Sequence, residues 1–372
     1  MYDLAIIGAG INGSSVAHEF SQKDKRVIIF DKDGIASGGS GAAGAFIAPK
    51  FSKSGELKEL LHDAFVYSMN FYEKNFSNFF TKSQLLHIAK DAQASEILKH
   101  YKEHTDLELK EPSKEFLTTL STHANKYEHI CIDAGVINAQ EICKVMCKSA
   151  RYVNQEVESL VYDDGIWIIN EIYTAKNVVL ATGAYEAVIK EPYIQLRGVW
   201  GHRIDIKTST RNPYSIHQNV SISPSNDGEL AIGATHNVHY HPQTSKEDYD
   251  LEEGRKELLQ KAGMTIDLKD VEIIRDFTGL RSGSFDYMPL LGKLVLSNET
   301  VASCGKKLRV KNPDYDDFSY YPNLYMINGN GGYGFVLAPY LAKMLSSYIL
   351  DEKKISKRFV PARFFARWAK RS

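Results

Sequence analysis

The chain opens on residues 3–7, which are apolar with little alternation, as in a parallel strand covered on both faces. The period then changes. Residues 11–23 carry helical spacing, and Arg26-Val27-Ile28-Ile29-Phe30 predicts a second buried strand that ends at Asp31. Strand, helix and strand in this order make a complete βαβ unit. Farther on, Glu56 to Lys74 predicts a helix with Leu57, Leu60, Leu61, Ala64, Phe65 and Phe71 on one side, a core-facing stripe rather than a site. Three strand-like runs, around Val157, Trp167 and Val178, occupy residues 153–180. Residues 196–206, 218–223 and 229–235 predict antiparallel strands joined by Pro- and Ser-containing turns, an inserted sheet. A polar loop over 237–250 and a short helix over 251–262 follow. There is no internal repeat and no low-complexity tract.

The turn inside the βαβ unit reads Gly8-Ala9-Gly10-Ile11-Asn12-Gly13. Gly8 permits a tight turn, Gly10 leaves room for a pyrophosphate, and Gly13 lets helix and strand approach closely. The helix N-terminus offers unpaired N–H groups and a positive dipole end to the phosphates. Asp31 is placed to accept hydrogen bonds from an adenosine ribose, with Lys32 beside it. Small residues run from Gly34 to Ala45, among them Ser40, Ala43 and Gly44. A flexible linker is the plain alternative there, but their place just after the ribose acid predicts backbone amides that approach a cofactor. The third strand-like run ends in Ala181-Thr182-Gly183, a second such approach, and Val157 is counted with it. Near the other end, Asn328-Gly329-Asn330-Gly331-Gly332-Tyr333-Gly334 leads into a helix that begins near Phe335. These glycines would let a flavin's pyrimidine edge meet backbone amides, with the helix's positive end near flavin N1 and O2. Pro339 lies in the early turns of that helix, where it is tolerated. A dinucleotide turn answered by a glycine cluster about three hundred residues later points to FAD, a long cofactor gripped at both ends, and away from an NAD-only dehydrogenase.

At 372 residues and 43% hydrophobic, the chain can bury the core of two domains or of one large α/β unit. Its net charge is −1, but Lys353 to Ser372 holds eight basic residues and no acidic one, which leaves about −9 on residues 1–352. An acidic body with a basic tail fits a polyanionic partner. In that tail Arg363, Arg367 and Lys370 fall at helical spacing, and Phe364 and Trp368 share a neighbouring face. Two readings stay open: the aromatics dock on the body with solvated charges around them, or the charges meet nucleic-acid phosphates. The run Lys306, Lys307, Arg309 and Lys311 has the same two readings. Cys131, Cys143, Cys147 and Cys304 form no CxxC pair and read as ordinary thiols in a reducing cytoplasm. His236, His239 and His241 read as loop histidines, and no metal site is expected. There is no basic leader, and no apolar run reaches the roughly 18 residues of a membrane span, so no signal peptide and no membrane association are expected.

The dinucleotide turn, Ala181-Thr182-Gly183, the late glycines, and Gly279-Leu280-Arg281 followed by Asp286, Pro289 and Gly292 together resemble the D-amino-acid oxidase superfamily of FAD enzymes. The resemblance implies a Rossmann-like FAD-binding domain with an inserted antiparallel-sheet substrate domain, α/β in class and α+β overall. It implies oxidation of a C–N bond next to a carboxylate, with hydride passed to flavin N5 and no catalytic side chain beyond the flavin. Arg281 matches the family's substrate arginine and would grip the carboxylate with two parallel hydrogen bonds, against the alternative of a structural ion pair.

Residues 37–76, Arg197-Gly198 and Ile232-Gly233-Ala234-Thr235 look more narrowly like the C-terminal FAD domain of the bifunctional MnmC family. That likeness implies a tRNA partner, loss of a carboxymethyl group as glyoxylate from the wobble uridine, and a separate methyltransferase acting next. Ser221 stands where that subgroup has an aromatic residue, and Ala48-Pro49 where it has Tyr-Pro. The other readings are a small-molecule amine or amino-acid oxidase or dehydrogenase of glycine or D-amino-acid type, and a flavin-bearing interaction module without turnover. Pattern and resemblance together divide the chain into an FAD-binding domain (1–80, 131–195, 275–352), a substrate domain (81–130, 196–274) and a basic tail (353–372).

Overall fold

The computed structural model describes residues 1–310 and 313–371. Lys311 of the second basic run lies outside them, as do the side chains of Lys306 and Arg309. In chain order the first strands are β1 Tyr2–Ile7, β2 Val27–Phe30, β3 Phe46–Ile47, β4 Phe80–Ile88, β5 Leu109–Lys110 and β6 His129–Ile137. There follow β7 Arg151–Val153, β8 Leu160–Asp163, β9 Ile166–Ile169, β10 Tyr173–Leu180 and β11 Leu196–Lys207. The last are β12 Ser215–His217, β13 Ser221–Ile222, β14 Glu229–Gly233, β15 Glu272–Ser284, β16 Leu290–Val295 and β17 Tyr320–Asn328. The helices used below are α1 Ile11–Ser21, α2 Glu56–Phe76, α3 Ala139–Cys147, α4 Leu251–Gly263, α5 Gly334–Asp351 and α6 Ala362–Ala369.

The first sheet runs β16-β17-β10-β1-β2-β7 and is parallel except at β16, with β9 and β8 added antiparallel beyond β10. Both faces are covered, which is why its strands read as continuous apolar runs. Leu4, Ile6, Val27 and Ile29 face α1, α2, α3 and α5, whereas Ala5, Ile7, Ile28 and Phe30 face the opposite cluster. Pro339 sits within α5. It cannot donate to the carbonyl four residues back, that of Phe335, and the buried Tyr72 hydroxyl of α2 donates there instead at 2.9 Å. Ser68 donates to the next carbonyl, Val336, at 2.7 Å.

The second sheet runs β15-β11-β14-β13-β12-β4-β6-β3, with β5 on β6. It alternates with period two. Leu86, Ile204, Ile216, Ile222 and Ile232 pack against Leu258 and Ala262 of α4, while the intervening residues turn to the other side.

The pairing redraws the expected domain limits. The break at 130/131 would cut β6, which pairs with β4 along its whole length from Phe80↔Ile137 to Ile88↔His129. The break at 274/275 would cut β15, which pairs with β11, and β3 also joins the second sheet from within the segment 1–80. Val157 is not in a strand but between β7 and β8; it is buried as a wall of the cleft, and its hydrophobicity imitated a strand. The segment 218–223 holds the short strand β13 and the turn that joins it to β12.

The basic tail is tied into the body. Ala362, Phe364, Phe365 and Ala366 of α6 are buried, and Phe365 meets Tyr193 and Phe318 edge-on. Arg363 is consumed there: it forms a two-pronged pair with Asp286 (2.8 and 3.0 Å) and donates to the carbonyls of Met288, Phe359 and Val360. Sequence spacing grouped it with surface charges, but its side chain is only 11% exposed. Burial alone would raise the Asp286 pKa. The hydrogen bonds and charge of Arg363, with those of Met288 N–H and Ser284, outweigh burial and hold it low.

Arg363→Ala is expected to destabilise the fold by about 3 kcal/mol in denaturant unfolding, because a half-buried carboxylate and three backbone carbonyls lose their partner. A depressed folded-state pKa stabilises above the unfolded value and ceases to do so as pH falls through the folded value. The stability advantage of the wild type over Asp286→Asn should therefore be full at neutral pH and shrink below about pH 4.

Candidate active site

Where β1, β2, β10 and β17 end, the chain leaves a cavity of 580 Å³ between the first sheet and the non-isoleucine face of the second. The first wall is built by backbone. Gly8 has φ +103°, and a Cβ there would lie 2.4 Å from the carbonyl oxygen of Ala181. Gly13 is closer still: a Cβ would come 1.9 Å from the Gly8 oxygen. Gly13 and Ala9 therefore lie behind the wall, with Gly8, Gly10, Ile11 and Asn12 lining it. The loop 34–45 folds back onto this turn through Ala36 N–H to Ala9 O (3.0 Å) and Ile11 N–H to Ser40 Oγ (2.9 Å). Ser40, Ala43 and Gly44 thus reach the cavity.

Asp31 and Lys32 line the cavity too, as do Val157, Ala181, Thr182 and Gly183. One carboxylate oxygen of Asp31 accepts from Ala9 N–H at 2.8 Å and the other from Asp33 N–H at 3.1 Å, so the acid also holds the glycine turn in shape. Lys32 pairs with Glu156 at 3.4 Å. Gly331, Gly332, Tyr333, Gly334 and Phe335 close the far side, while Gly329 does not line the cavity and only turns the chain at φ +78°. Two asparagines tie this late cluster to the rest: Asn328 donates to Gly183 O (2.9 Å), and Asn330 to Asn12 Oδ1 (2.7 Å).

These residues fit FAD. The N-termini of α1 and α5 both open on the cavity, neither N-cap residue supplies a side-chain hydrogen bond, and neither helix has an acidic residue in its first turn. Apart from Ile11 N–H, which Ser40 accepts, first-turn N–H groups at a positive dipole end suit a pyrophosphate at α1 and the flavin's O2 edge at α5. Among the described residues the buried Oδ1 atom of Asn330 has no hydrogen-bond partner.

Arg281 reaches the cavity from β15. Its guanidinium passes over Gly201, where a Cβ would stand 3.1 Å from Nη2, and Nη2 donates to Thr235 O at 2.5 Å. Among the described residues it has no carboxylate partner, and its Nε is buried unpaired. Burial pulls its pKa down from the ordinary value.

Sequence reasoning missed other groups on this wall: Arg203, His87 and His217. Arg203 donates to Ala43 O at 2.6 Å, lies 3.5 Å from Asp205, and covers the Phe277 ring at 3.9 Å. The signal that could have found them is the period of two itself, since each sits next to an isoleucine or leucine that faces α4. No group of three or more metal-binding side chains occurs among the described residues. Burial, then the nearby Arg281 and Arg197, lower the pKa of His236. All four cysteines are buried and free, and among the described residues no helix is long and apolar enough to cross a membrane.

The family described as FAD dependent oxidoreductase matches residues 3–348. Among curated proteins, the tRNA 5-methylaminomethyl-2-thiouridine biosynthesis bifunctional protein MnmC of Legionella pneumophila is 24% identical over 385 residues, covering 96% of this chain and 56% of that protein. The protein of the same name from Leptospira borgpetersenii is 25% identical over 406 residues, covering 97% and 60%. The chain thus spans between half and two thirds of the length of these relatives. Among solved structures, glycine oxidase from Bacillus cereus superposes with a TM-score of 0.74 at 22% identity, covering 95% of this chain and 96% of that one. L-proline dehydrogenase from P. horikoshii gives 0.72 at 18% identity, covering 98% and 97%. These likenesses establish the fold.

Gly10 has an ordinary φ of −73°, and a Cβ there would meet only the movable Ser40 hydroxyl, at 3.0 Å. Gly10→Val should therefore fold, with native circular dichroism, yet lose most of its flavin as read by the flavin-to-protein absorbance ratio. Full flavin loading would put the pyrophosphate somewhere else.

Proposed function

The chain belongs to the FAD-dependent oxidoreductase family, and on that premise we propose that it oxidises a C–N bond next to a carboxylate, removing the carboxymethyl group, as glyoxylate, from carboxymethylaminomethyl-uridine in tRNA. One observation carries the reaction class: a buried guanidinium in the cavity wall with no counter-ion among the described residues and an unpaired Nε. A substrate carboxylate is the partner that such a group lacks. The tRNA assignment draws support from the relatives named for tRNA modification, which align with nearly all of this chain.

FAD, when bound, supplies the acceptor for the two electrons that leave the substrate. The chain's own residues bind and orient. Arg281 holds the carboxylate, Gly201 leaves the space the guanidinium needs, and the second sheet forms the wall that carries both. The amine must be neutral to release its electron pair, and it loses its proton to solvent. Oxidation turns the CH–NH bond between the amine and the acetate carbon into C=N, and water then splits it into glyoxylate and the aminomethyl form. That product suits a separate methyltransferase, and a tRNA substrate puts the enzyme in the cytoplasm. The same clamp would serve a free amine of glycine type, the second reading, and substrate size separates the two.

Mass spectrometry of nucleosides from tRNA treated with the protein tests the assignment: carboxymethylaminomethyl-uridine should fall and the aminomethyl form rise. No change, together with flavin bleaching by a small glycine derivative, would favour the second reading. Arg281→Lys keeps the charge and loses the two-pronged geometry. It should cost about 1.5–3 kcal/mol of transition-state binding, roughly one to two decades in kcat/KM, with flavin content unchanged. Normal turnover would make Arg281 a structural residue. Neutralising Arg367, Lys370 and Arg371 while sparing Arg363 tests the tail: each lost phosphate contact should flatten the log–log salt slope of tRNA binding by about 0.7–0.9.

A further inference from the structure

Two rows of cross-strand partners cross the second sheet one residue apart. Leu86, Ile216, Ile222, Ile232 and Ile204 form the row under α4. His87, His217, Ser221, Gly233 and Arg203 form the other, and all five line the cavity. Cross-strand partners project to the same side, so this row is one continuous line. It spans four strand spacings, about 19 Å between the backbones of His87 and Arg203. Arg281 lies at the Arg203 end, since its guanidinium passes over Gly201 two residues along the same strand. The stem of Arg203 packs over Gly233, where a Cβ would stand 2.8 Å from its Cγ, and Ser221 carries the smallest side chain of the row.

The far end has a different chemistry. Neither imidazole makes a hydrogen bond among the described residues, and His87 Nδ1 and His217 Nε2 are buried without partners. Phe51 stacks on His87 at 4.4 Å, and Phe46 meets His217 edge-on at 4.9 Å. Burial lowers the pKa of His87 to about 4 and, with the neighbouring His87, that of His217 to about 3, so both rings are neutral near pH 7. A neutral imidazole has one donor and one acceptor, and an unpaired buried one costs about 1–3 kcal/mol. An uncharged pair of this kind offers no counter-charge to a carboxylate or an ammonium group. It fits a flat, uncharged ring that presents both C=O and N–H.

We propose that His87 and His217, with Phe46 and Phe51, form a subsite for an uncharged planar heterocycle carried on the substrate amine. The preferred substrate is then an N-substituted glycine with a pyrimidine-like ring on the side of the amine away from the carboxylate. The proposal rests on the reading of Arg281 as carboxylate clamp, and the test separates the two. In the holoenzyme, kcat/KM is compared for N-(uracil-5-ylmethyl)glycine and N-methylglycine, and thymine binding is followed by calorimetry. His217→Leu should lower the ratio of the two kcat/KM values about tenfold, and His217→Gln, which keeps a donor and an acceptor, should restore part of it. Thymine should bind the wild type and bind His217→Leu at least about fivefold more weakly. If the wild type oxidises neither glycine but thymine still binds in a His217-dependent way, the clamp reading falls and the subsite stands. Absence of thymine binding to the wild type, or a ratio unchanged in folded His217→Leu, overturns the subsite.

Discussion

The whole architecture hangs on a backbone contact too close for any side chain. A Cβ at Gly13 would sit 1.9 Å from the Gly8 oxygen, and one at Gly8 would sit 2.4 Å from the Ala181 oxygen. These approaches press α1 against β1 and set β10 beside it. The N-terminus of α1 therefore opens where the parallel strands end. Asp31 reinforces the contact by accepting from Ala9 N–H, and Asn330 joins the late glycine cluster to Asn12. The cavity is the space that remains once these backbone segments have met.

Its second wall follows from a different rule. A strand shows its two sides in alternation, and the second sheet spends one side on α4 and the other on the cavity. Isoleucines supply the apolar side. The polar side can then hold groups a core would reject, namely two guanidinium groups and two uncharged imidazoles. Each is expensive to bury. Arg203 offsets that cost with Asp205, the Ala43 carbonyl and the Phe277 ring, whereas among the described residues Arg281 has only the Thr235 carbonyl. The difference between the two arginines supports assigning the substrate to Arg281.

Similar accounting for lost partners recurs in the core. Pro339 frees a carbonyl in α5, and Tyr72 satisfies it from α2. Asp286 and Arg363 close the loop after β15 and pin α6 onto the first sheet's lower cluster, next to the segment that carries Arg281.

Local chemistry alone made several features legible in the sequence. The glycine turn, its terminal acid, the small residues after it and the late glycine cluster are each defined by what the backbone must do over a few residues, and their order along the chain was enough to indicate a cofactor held at both ends. The apolar runs of β1 and β2 announced a sheet covered on both faces. The fate of individual charges and histidines depended on tertiary structure. Arg363 has the spacing of a solvated helix face but is buried by Asp286, a residue 77 positions away. His87 and His217 stand 130 positions apart and share a wall only because β12 pairs with β4. Strand pairing and ion pairing join residues across long stretches of chain, and no local pattern encodes which partner arrives.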